Sequence, residues 1–344
     1  MAQPLSTAGS TAMRLKDQGF FWVGVDRKKT DYGTIASGQM YVQYLIPANV
    51  TQPLPIVLVH GGGGQGTHYM GTGSGQPGWA HFFVQQGYRT YIVDRPGHGR
   101  APYHPDALGP PAPVPTIEGV QADFAAAASA SPPRWNGNGR VGDPLVDEFQ
   151  AGQNATLQDQ AMAHALWASR GAELLDRIGP AIVLVHSAGG PFAWVVADQR
   201  PTLVKAIVAV EPAGPPFGAL TWGLSSSPVT YDPPVSDPKQ LATRDVTPPA
   251  GSGLPTYKLQ ADPPRKLKNL AGIPISFVLG ESSPRHKLTD PPSVEFLRQA
   301  GCNVDFIRLE ERGIRGNSHF MMLETNRREV FDVIHAWIAS KARA

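Results

Sequence analysis

Short segments that are apolar at almost every position recur along the chain, and they constrain the fold more than any other feature. They include residues 55–60, Ala181–His186 and Val204–Val210. A strand without polar positions is typical of a parallel sheet covered by helices on both faces, because neither face meets water. Helical patterns, such as those at residues 79–86 and 157–178, separate these segments in the alternating order of βα units. We therefore predict an α/β fold with a mostly parallel central sheet flanked by helices.

Two long irregular segments interrupt the alternation. Residues 101–156 are rich in Pro, Gly and Ala, and residues 212–272 contain proline pairs such as Pro215-Pro216. Irregular segments of this length usually serve a function in a compact domain, and open α/β sheets bind ligands at the carboxyl ends of their strands. We expect residues 1–344 to form one domain, with 101–156 as a lid-like insertion and 212–272 as a cap-like insertion. The alternative for both insertions is a surface segment without a function.

Composition argues against several classes of protein. The net charge is only +2 and no basic cluster is present, so a nucleic-acid partner is not expected. No stretch of about 18 apolar residues predicts a membrane span. Residues 1–19 lack the apolar centre of a signal peptide, so we expect a cytoplasmic location. The single cysteine, Cys302, allows no intrachain disulfide, and the spacing of His, Cys and acidic residues predicts neither a metal nor a cofactor.

The strand pattern at Ala181–His186 leads directly into Ser187, followed by small residues and a helical pattern. This order predicts a strained turn between strand and helix that lifts a nucleophilic serine above the sheet. Val185 departs from the common pattern G-x-S-x-G, whereas Gly189 matches it. On this segment alone, an ordinary serine in a strand-to-loop connection is an equal alternative.

A glycine run, Gly61 to Gly64, follows the apolar segment at residues 55–60. Glycines allow backbone amides to approach a ligand closely. In hydrolases with this strand order, such a turn supplies one donor to the oxyanion, and the residue after the nucleophile supplies the second. We therefore predict an oxyanion hole formed by Gly62 or Gly63 together with Ala188. A phosphate-binding loop is disfavoured because the run does not end in Lys-Ser/Thr.

The general base is predicted to be His319, which lies after the last predicted strand and before the last predicted helix. That place satisfies the chain order of serine, acid and histidine. Two carboxylates could complete the set. Glu211 ends the strand that follows the nucleophile helix, and Glu281 follows the next strand. The residues themselves do not separate these two candidates.

The chain resembles a microbial group of serine esterases with the α/β-hydrolase fold, and it is similar to the sulfonylurea-herbicide de-esterifying esterases. The resemblance is carried by His60-Gly-Gly-Gly-Gly, His186-Ser-Ala-Gly-Gly, Val210-Glu-Pro and Gly316-Asn-Ser-His. It implies that the acid is Glu211, since this group carries a glutamate at the end of the strand after the nucleophile turn. It also implies a homodimer. Where two relatives have cysteines at the oxyanion turn, this chain has Gly62 and Gly63.

Together these features predict a serine carboxylic-ester hydrolase that forms an acyl-enzyme on a small to medium apolar or aromatic ester. The candidate substrate-binding residues are aromatic or basic side chains in or near the two irregular segments: His98, Trp135, Phe217 and Trp222. A lactonase, an amidase or a C–C bond hydrolase could use the same three catalytic groups. A ligand-binding protein that kept the fold without catalysis is the alternative from another class.

Overall fold

The computed structural model describes residues 12–124 and 131–342. The predictions for residues 1–11 and for the part 125–130 of the first insertion lie outside the described residues. The strands of the described part are β1 (Leu15–Val23), β2 (Asp26–Thr30), β3 (Gly33–Ser37), β4 (Met40–Pro47), β5 (Ile56–Val59), β6 (Thr90–Asp94), β7 (Ala181–His186), β8 (Val204–Val210), β9 (Thr243–Val246), β10 (Tyr257–Gln260), β11 (Pro274–Leu279) and β12 (Asn303–Arg308). Its α-helices are α1 (Thr67–Met70), α2 (Trp79–Gln85), α3 (Pro105–Leu108), α4 (Ile117–Val120), α5 (Pro144–Ala151), α6 (Gln160–Ile178), α7 (Gly190–Gln199), α8 (Pro284–Gln299) and α9 (Arg327–Lys341).

Eight strands form the central sheet in the order β1-β4-β6-β5-β7-β8-β11-β12. The pairs β1–β4 and β4–β6 are antiparallel, and every later pair is parallel. The predicted fold class, a mostly parallel sheet flanked by helices, is confirmed. Parallel strands place their carboxyl ends at one edge, so the residues that follow β5, β6, β7, β8 and β11 lie on the same side of the sheet.

Each buried strand contributes to two apolar layers, one on each face of the sheet. In β5, Val57 and Val59 face the layer that also contains Trp167 and Trp194 of α6 and α7. The alternate residues of the same strand face the layer that contains side chains of α2 and α9. Because both faces are covered, the strands have no polar face, and this is the physical reason for their continuous apolar sequence.

The sequence pattern alone indicates a helix near residues 293–299, whereas α8 begins nine residues earlier, at Pro284. Pro284 occupies the first turn, where a missing N–H breaks no helical hydrogen bond. The interior pair Pro291 and Pro292 hid the helical pattern from the sequence. The sequence pattern also indicates a last helix from about residue 321, but α9 begins at Arg327, because turns occupy the residues before it.

The two insertions pack differently. The first contains α3, α4 and α5, and it buries Trp135 and Phe149 against the layer under α9. The second contains the hairpin β9–β10 and buries Trp222 and Tyr231 against the opposite layer. Within the described ranges, none of the helices combines the length and apolarity that crossing a bilayer requires.

Candidate active site

Ser187 follows β7 directly and has a φ of +53°, a conformation that non-glycine residues rarely adopt. A Cβ at position 189 would lie 2.2 Å from the carbonyl oxygen of His60, so only glycine fits this side of the turn. Val185, the residue that departs from the common pattern, is fully buried in the apolar layer of β7. The strained turn therefore forms with a valine upstream, and its close approach to the backbone depends on the downstream glycine.

The three predicted catalytic side chains meet at the carboxyl edge of the sheet. The hydroxyl of Ser187 lies 2.8 Å from Nε2 of His319, and Nδ1 of His319 lies 2.7 Å from Oε2 of Glu211. In this line of hydrogen bonds, the Nδ1–H of His319 donates to the carboxylate of Glu211, which leaves Nε2 free to accept the hydroxyl proton of Ser187. All three residues are at least partly buried, and they come from turns after β7, β8 and β12.

Glu281, the alternative acid, lies away from this line. Its carboxylate accepts hydrogen bonds from Nη1 of Arg315 at 2.9 Å and from the backbone amide of Gly316 at 2.8 Å. Although burial opposes the shift, hydrogen bonds from Ser131, Gly316 and Arg315 lower the pKa of Glu281. The structure thus places this carboxylate as an anchor for the turn that precedes His319.

The backbone holds Glu211 in an unusual conformation, with a φ of +42°. The backbone amide of Gly280 donates to its Oε1 at 2.8 Å. Burial raises the pKa of Glu211 to about 8, while the hydrogen bond from the Gly280 amide opposes that shift. Burial and the neighbouring imidazoles of His186 and His286 lower the pKa of His319, which favours its neutral, proton-accepting form.

The turn that carries His319 is held by Glu324, a fully buried carboxylate that the sequence did not single out. Its Oε1 accepts from the amide of Ser318 at 2.7 Å and from the Ser318 hydroxyl at 2.6 Å. Its Oε2 accepts from Nδ2 of Asn317 at 2.5 Å. No sequence signal marked Glu324, since it lies in a segment with a helical pattern.

A second buried imidazole, His286, packs flat against His319, with ring centroids 4.5 Å apart and an interplanar angle of 9°. Its Nδ1 donates to Oδ1 of Asp290 at 3.0 Å. One ligand atom each from Glu211, His286 and His319 lies within 4.8 Å of the others, which is close enough for a metal ion. A metal bound there would compete with the hydrogen bond between Glu211 and His319. The spacing of these residues in the sequence did not predict this set.

The glycine turn lies directly against the nucleophile, since a Cβ at position 61 would lie 2.6 Å from the Cβ of Ser187. The carbonyl of Gly62 accepts from Nη2 of Arg95 at 2.7 Å, and the carbonyl of Gly63 accepts from the amide of Asn154 at 2.6 Å. In the part of the chain that the structure describes, the backbone amides of Gly62 and Gly63 donate to no protein acceptor. The carbonyls of this turn are therefore hydrogen-bonded to Arg95 and Asn154, and the two amides remain available to a ligand.

A cavity of about 220 Å³ lies beside this turn, and its walls include Gly62, Gly63, Ala188 and His98. Of the four candidate substrate-binding residues, His98 is the one at this cavity. Trp135 lines a separate, open cleft of about 630 Å³ whose walls contain none of the three catalytic candidates.

The structure places the other two candidates, Phe217 and Trp222, in packing contacts of the second insertion. The ring of Phe217 meets Phe296 edge-on at 5.3 Å, and the carbonyl of Trp222 accepts from the Tyr231 hydroxyl at 2.9 Å. Large apolar side chains in a proline-rich segment are thus used to bury that segment against the core, which sequence reasoning did not distinguish from lining a pocket.

A serine in a strained strand-to-helix turn, hydrogen-bonded to a histidine that is in turn hydrogen-bonded to an acid, defines the class of α/β-fold hydrolases. A family model described as the alpha/beta hydrolase fold matches residues 55–238, and the chain belongs to that family. The chain is 36% identical over 333 residues to a protein named probable secreted lipase phiG from a fungal species (strain ATCC 74256), over 93% of this chain and 88% of the relative. The chain is therefore an enzyme of the carboxylesterase type.

A solved structure of a bacterial esterase also aligns with the chain. The alignment covers 97% of this chain and 98% of the esterase, with 22% identity and a TM-score of 0.70. At this identity the likeness bears on the fold, which it supports over nearly the whole chain.

Proposed function

We propose that the protein hydrolyses a small to medium carboxylic ester through an acyl-enzyme on Ser187. The observation that carries this proposal is the line of hydrogen bonds from Glu211 through His319 to Ser187, at 2.7 and 2.8 Å. This line ends at a strained turn that faces the backbone amides of Gly62 and Gly63, which donate to no acceptor of the described residues.

In the first half of the reaction, Oγ of Ser187 attacks the ester carbonyl while Nε2 of His319 takes the hydroxyl proton. The bond between the acyl carbon and the alkoxy oxygen then breaks, and the imidazolium returns the proton to the departing alcohol. In the second half, water attacks the acyl-serine and His319 takes its proton. The carboxylic acid leaves, and Ser187 regains its hydrogen.

Glu211 acts on His319 rather than on the substrate. Its carboxylate accepts the Nδ1–H, which fixes the tautomer with a free Nε2, and it stabilises the imidazolium that forms in both halves. We place the acid at Glu211, as in the microbial esterases that the sequence resembles, including the sulfonylurea-herbicide de-esterifying group. The contacts of Glu281 with Arg315 and Gly316 support this assignment.

The amides of Gly62 or Gly63 and of Ala188 are proposed to hold the oxyanion. Loss of one such donor typically raises the barrier by about 3 kcal/mol. Pro113 and Thr156 of the first insertion also form part of the 220 Å³ cavity, which supports a substrate-covering role for this segment within a single domain.

The test is hydrolysis of p-nitrophenyl esters of increasing acyl length, followed by aromatic methyl and ethyl esters, lactones and amides. We expect Ser187→Ala to abolish ester turnover and labelling by a fluorophosphonate. Ser276→Ala is the matched control, because Ser276 is fully buried in β11 and its hydroxyl has no hydrogen-bond partner among the described residues. Near-normal turnover by Ser187→Ala, or labelling at another serine, would contradict the proposal.

Two further expectations stay predictions. A cytoplasmic location is to be tested by fractionation, and the fungal relative's name calls that protein secreted. A homodimer is to be tested by sedimentation of the full chain.

A further inference from the structure

The cavity beside the oxyanion turn contains a buried cation. Arg95 and Trp167 line it together with Gly62, Gly63 and Ala188. Arg95 is only 2% exposed. Its guanidinium carbon lies 4.5 Å from the centre of the Trp167 ring, so the indole face covers one side of the charge.

No carboxylate of the described residues lies within 4 Å of the Arg95 guanidinium. The rest of the chain, residues 1–11, 125–130 and 343–344, contains no Asp or Glu. The preceding residue, Asp94, is bonded to Arg100 at 2.7 Å. Burying a charge without a counterion costs free energy. The stability of the fold therefore does not explain the burial of the Arg95 guanidinium.

Two buried side-chain donors of the residues that line this cavity have no acceptor among the described residues. Nη2 of Arg95 donates to the carbonyl of Gly62, but Nε of Arg95 has no acceptor among the residues with described positions. Nε1 of Trp167 is likewise buried without an acceptor there. A ligand that enters this cavity would lie beside the Arg95 guanidinium, and a negative charge on that ligand would supply the counterion that the chain does not.

The imidazoles near Arg95 are uncharged, so the positive charge at this cavity is that of Arg95. Burial and the charge of Arg95 lower the pKa of His98 and of His164 to about 3, and they also lower the pKa of His60. These three rings are therefore neutral at physiological pH. Burial also lowers the pKa of Arg95, from a starting value high enough that the guanidinium keeps its proton at neutral pH.

We propose that this cavity binds a carboxylate of the substrate, so that the esters which the enzyme prefers carry an anionic group within a few bonds of the scissile carbonyl. The inference rests on the proposed ester hydrolysis at Ser187 and narrows its substrate class to short esters with a free carboxylate, such as half-esters of dicarboxylic acids. The volume of about 220 Å³ is below the roughly 300 Å³ at which pockets for larger ligands begin, which favours a short chain.

The test compares pairs of esters that differ only in the charged group. Monoethyl glutarate is paired with the ethyl ester in which an isopropyl group replaces its carboxylate, and acetoxyacetate is paired with isobutyl acetate. The first pair places the charge on the acyl side and the second on the alcohol side. Rates are measured by titration of released acid at low ionic strength, because salt screens charge recognition.

We expect the wild-type chain to prefer the charged member of one pair by at least tenfold in kcat/KM, as charge-assisted hydrogen bonds imply. Arg95→Met should abolish that preference, and Arg95→Lys should retain part of it. Arg177→Met is the matched control, because Arg177 is exposed at the end of α6 over the ring of Phe21. The preference should be unchanged in this control.

A purely structural role of Arg95, holding the carbonyl of Gly62, predicts a different result. Arg95→Met would then slow both members of a pair by the same factor, and that outcome would overturn the proposal. Absence of any preference in the wild-type chain would overturn it as well. Since Arg95→Met removes an unpaired buried charge, we expect it to fold, and Arg95→Lys provides the second variant.

Binding separates this inference from the proposed function. Calorimetry with monoethyl glutarate and acetoxyacetate on Ser187→Ala, with and without Arg95→Met, needs no turnover, and we expect at least tenfold weaker binding of the preferred anion without Arg95. If the wild-type chain hydrolyses no ester of the panel, such Arg95-dependent binding would overturn the proposed function and support the anion site. Hydrolysis of neutral esters with no effect of Arg95 on anion binding would overturn the anion site and leave the proposed function standing.

Discussion

Replacing Glu211 with Gln changes one carboxylate oxygen into an NH₂ group at a site where both oxygens accept hydrogen bonds. Oε1 accepts from the amide of Gly280 at 2.8 Å, and Oε2 accepts from Nδ1 of His319 at 2.7 Å. The side chain amide has one acceptor oxygen. Whichever way it turns, it cannot satisfy both donors.

The size of the effect follows from the two orientations. With its oxygen toward Gly280, the amide points an N–H at Nδ1, and the imidazole must move its own proton to Nε2, which can then no longer take the proton of Ser187. With its oxygen toward His319, an N–H faces the N–H of Gly280, at a cost of about 1–3 kcal/mol. The first orientation is therefore favoured, and we expect kcat to fall by on the order of 10⁴, or about 5 kcal/mol in the barrier.

The assay is ester hydrolysis at an alkaline pH, above the pKa of Glu211, which burial raises to about 8. At that pH the wild-type carboxylate is ionised, so the comparison isolates the substitution. Glu281→Gln is the matched control, since Glu281 is the other carboxylate at this edge of the sheet and accepts hydrogen bonds from Arg315 and Gly316. Its kcat should stay within a few-fold of the wild-type value.

The reverse pattern would refute the reasoning. If Glu281→Gln lost activity by orders of magnitude while Glu211→Gln kept it, the acid would be Glu281 and the observed line of hydrogen bonds would not be the catalytic one. Circular dichroism of both variants verifies that any loss of rate is not a loss of fold.

Three further predictions concern the same edge of the sheet. Glu281→Gln should lower the free energy of unfolding at pH 7 by about 1–3 kcal/mol. Because the pKa of this carboxyl is lowered in the folded state, the difference from wild type in urea unfolding should shrink as the pH falls below the usual glutamate value. Gly189→Ala should abolish activity and destabilise the fold by about 1–3 kcal/mol, since its Cβ would meet the His60 carbonyl at 2.2 Å; a stable, active variant would contradict the turn geometry. Dialysis against EDTA should leave the rate unchanged, and added Zn²⁺ should inhibit by competing for Glu211, His286 and His319; loss of activity in EDTA would contradict a metal-free mechanism.

The strands of the sheet could be predicted because their pattern is local. The run at residues 181–185 is apolar at each position for a reason that acts on that strand alone, the burial of both faces. The turn at Ser187 could be predicted for a similar reason, since small residues next to a strand end are needed for the turn itself. The hairpin β2–β3 was missed because β2 (Asp26–Thr30) is almost entirely polar and exposed, and it lacks the alternation that marks a strand.

The choice between Glu211 and Glu281 could not be derived from local pattern, because it depends on the register of two neighbouring strands. In the parallel pair β8–β11, Val210 lies opposite Val278. Glu211 is therefore level with the last residue of β11, and Glu281 lies two residues further along the chain. At that height Glu281 meets the turn before His319 rather than the imidazole. From the sequence, only the resemblance to a family favours Glu211 as the acid, and that assignment stays a prediction.

Arg95 and His286 escaped sequence reasoning for a different reason. An arginine after a strand is usually paired or exposed, and its lack of a counterion depends on every side chain around it, including Asp94, which bonds to Arg100 instead. His286 lies in a helix whose interior prolines concealed its period. Both residues depend on tertiary contacts, and these are not encoded in any short segment.

The state of Glu211 gives a prediction about stability that is opposite in sign to the one for Glu281. Burial raises its pKa to about 8 in the folded chain, so between the usual glutamate value and that pH the folded state holds a proton that the unfolded state has lost. Wild-type stability should therefore fall relative to Glu211→Gln as the pH rises through this window. Urea unfolding of both proteins at pH 5 and near pH 8 measures this difference. A wild-type chain that gains stability over the variant with rising pH would mean that Glu211 is held as a stabilising ion, and that burial does not favour its protonated form.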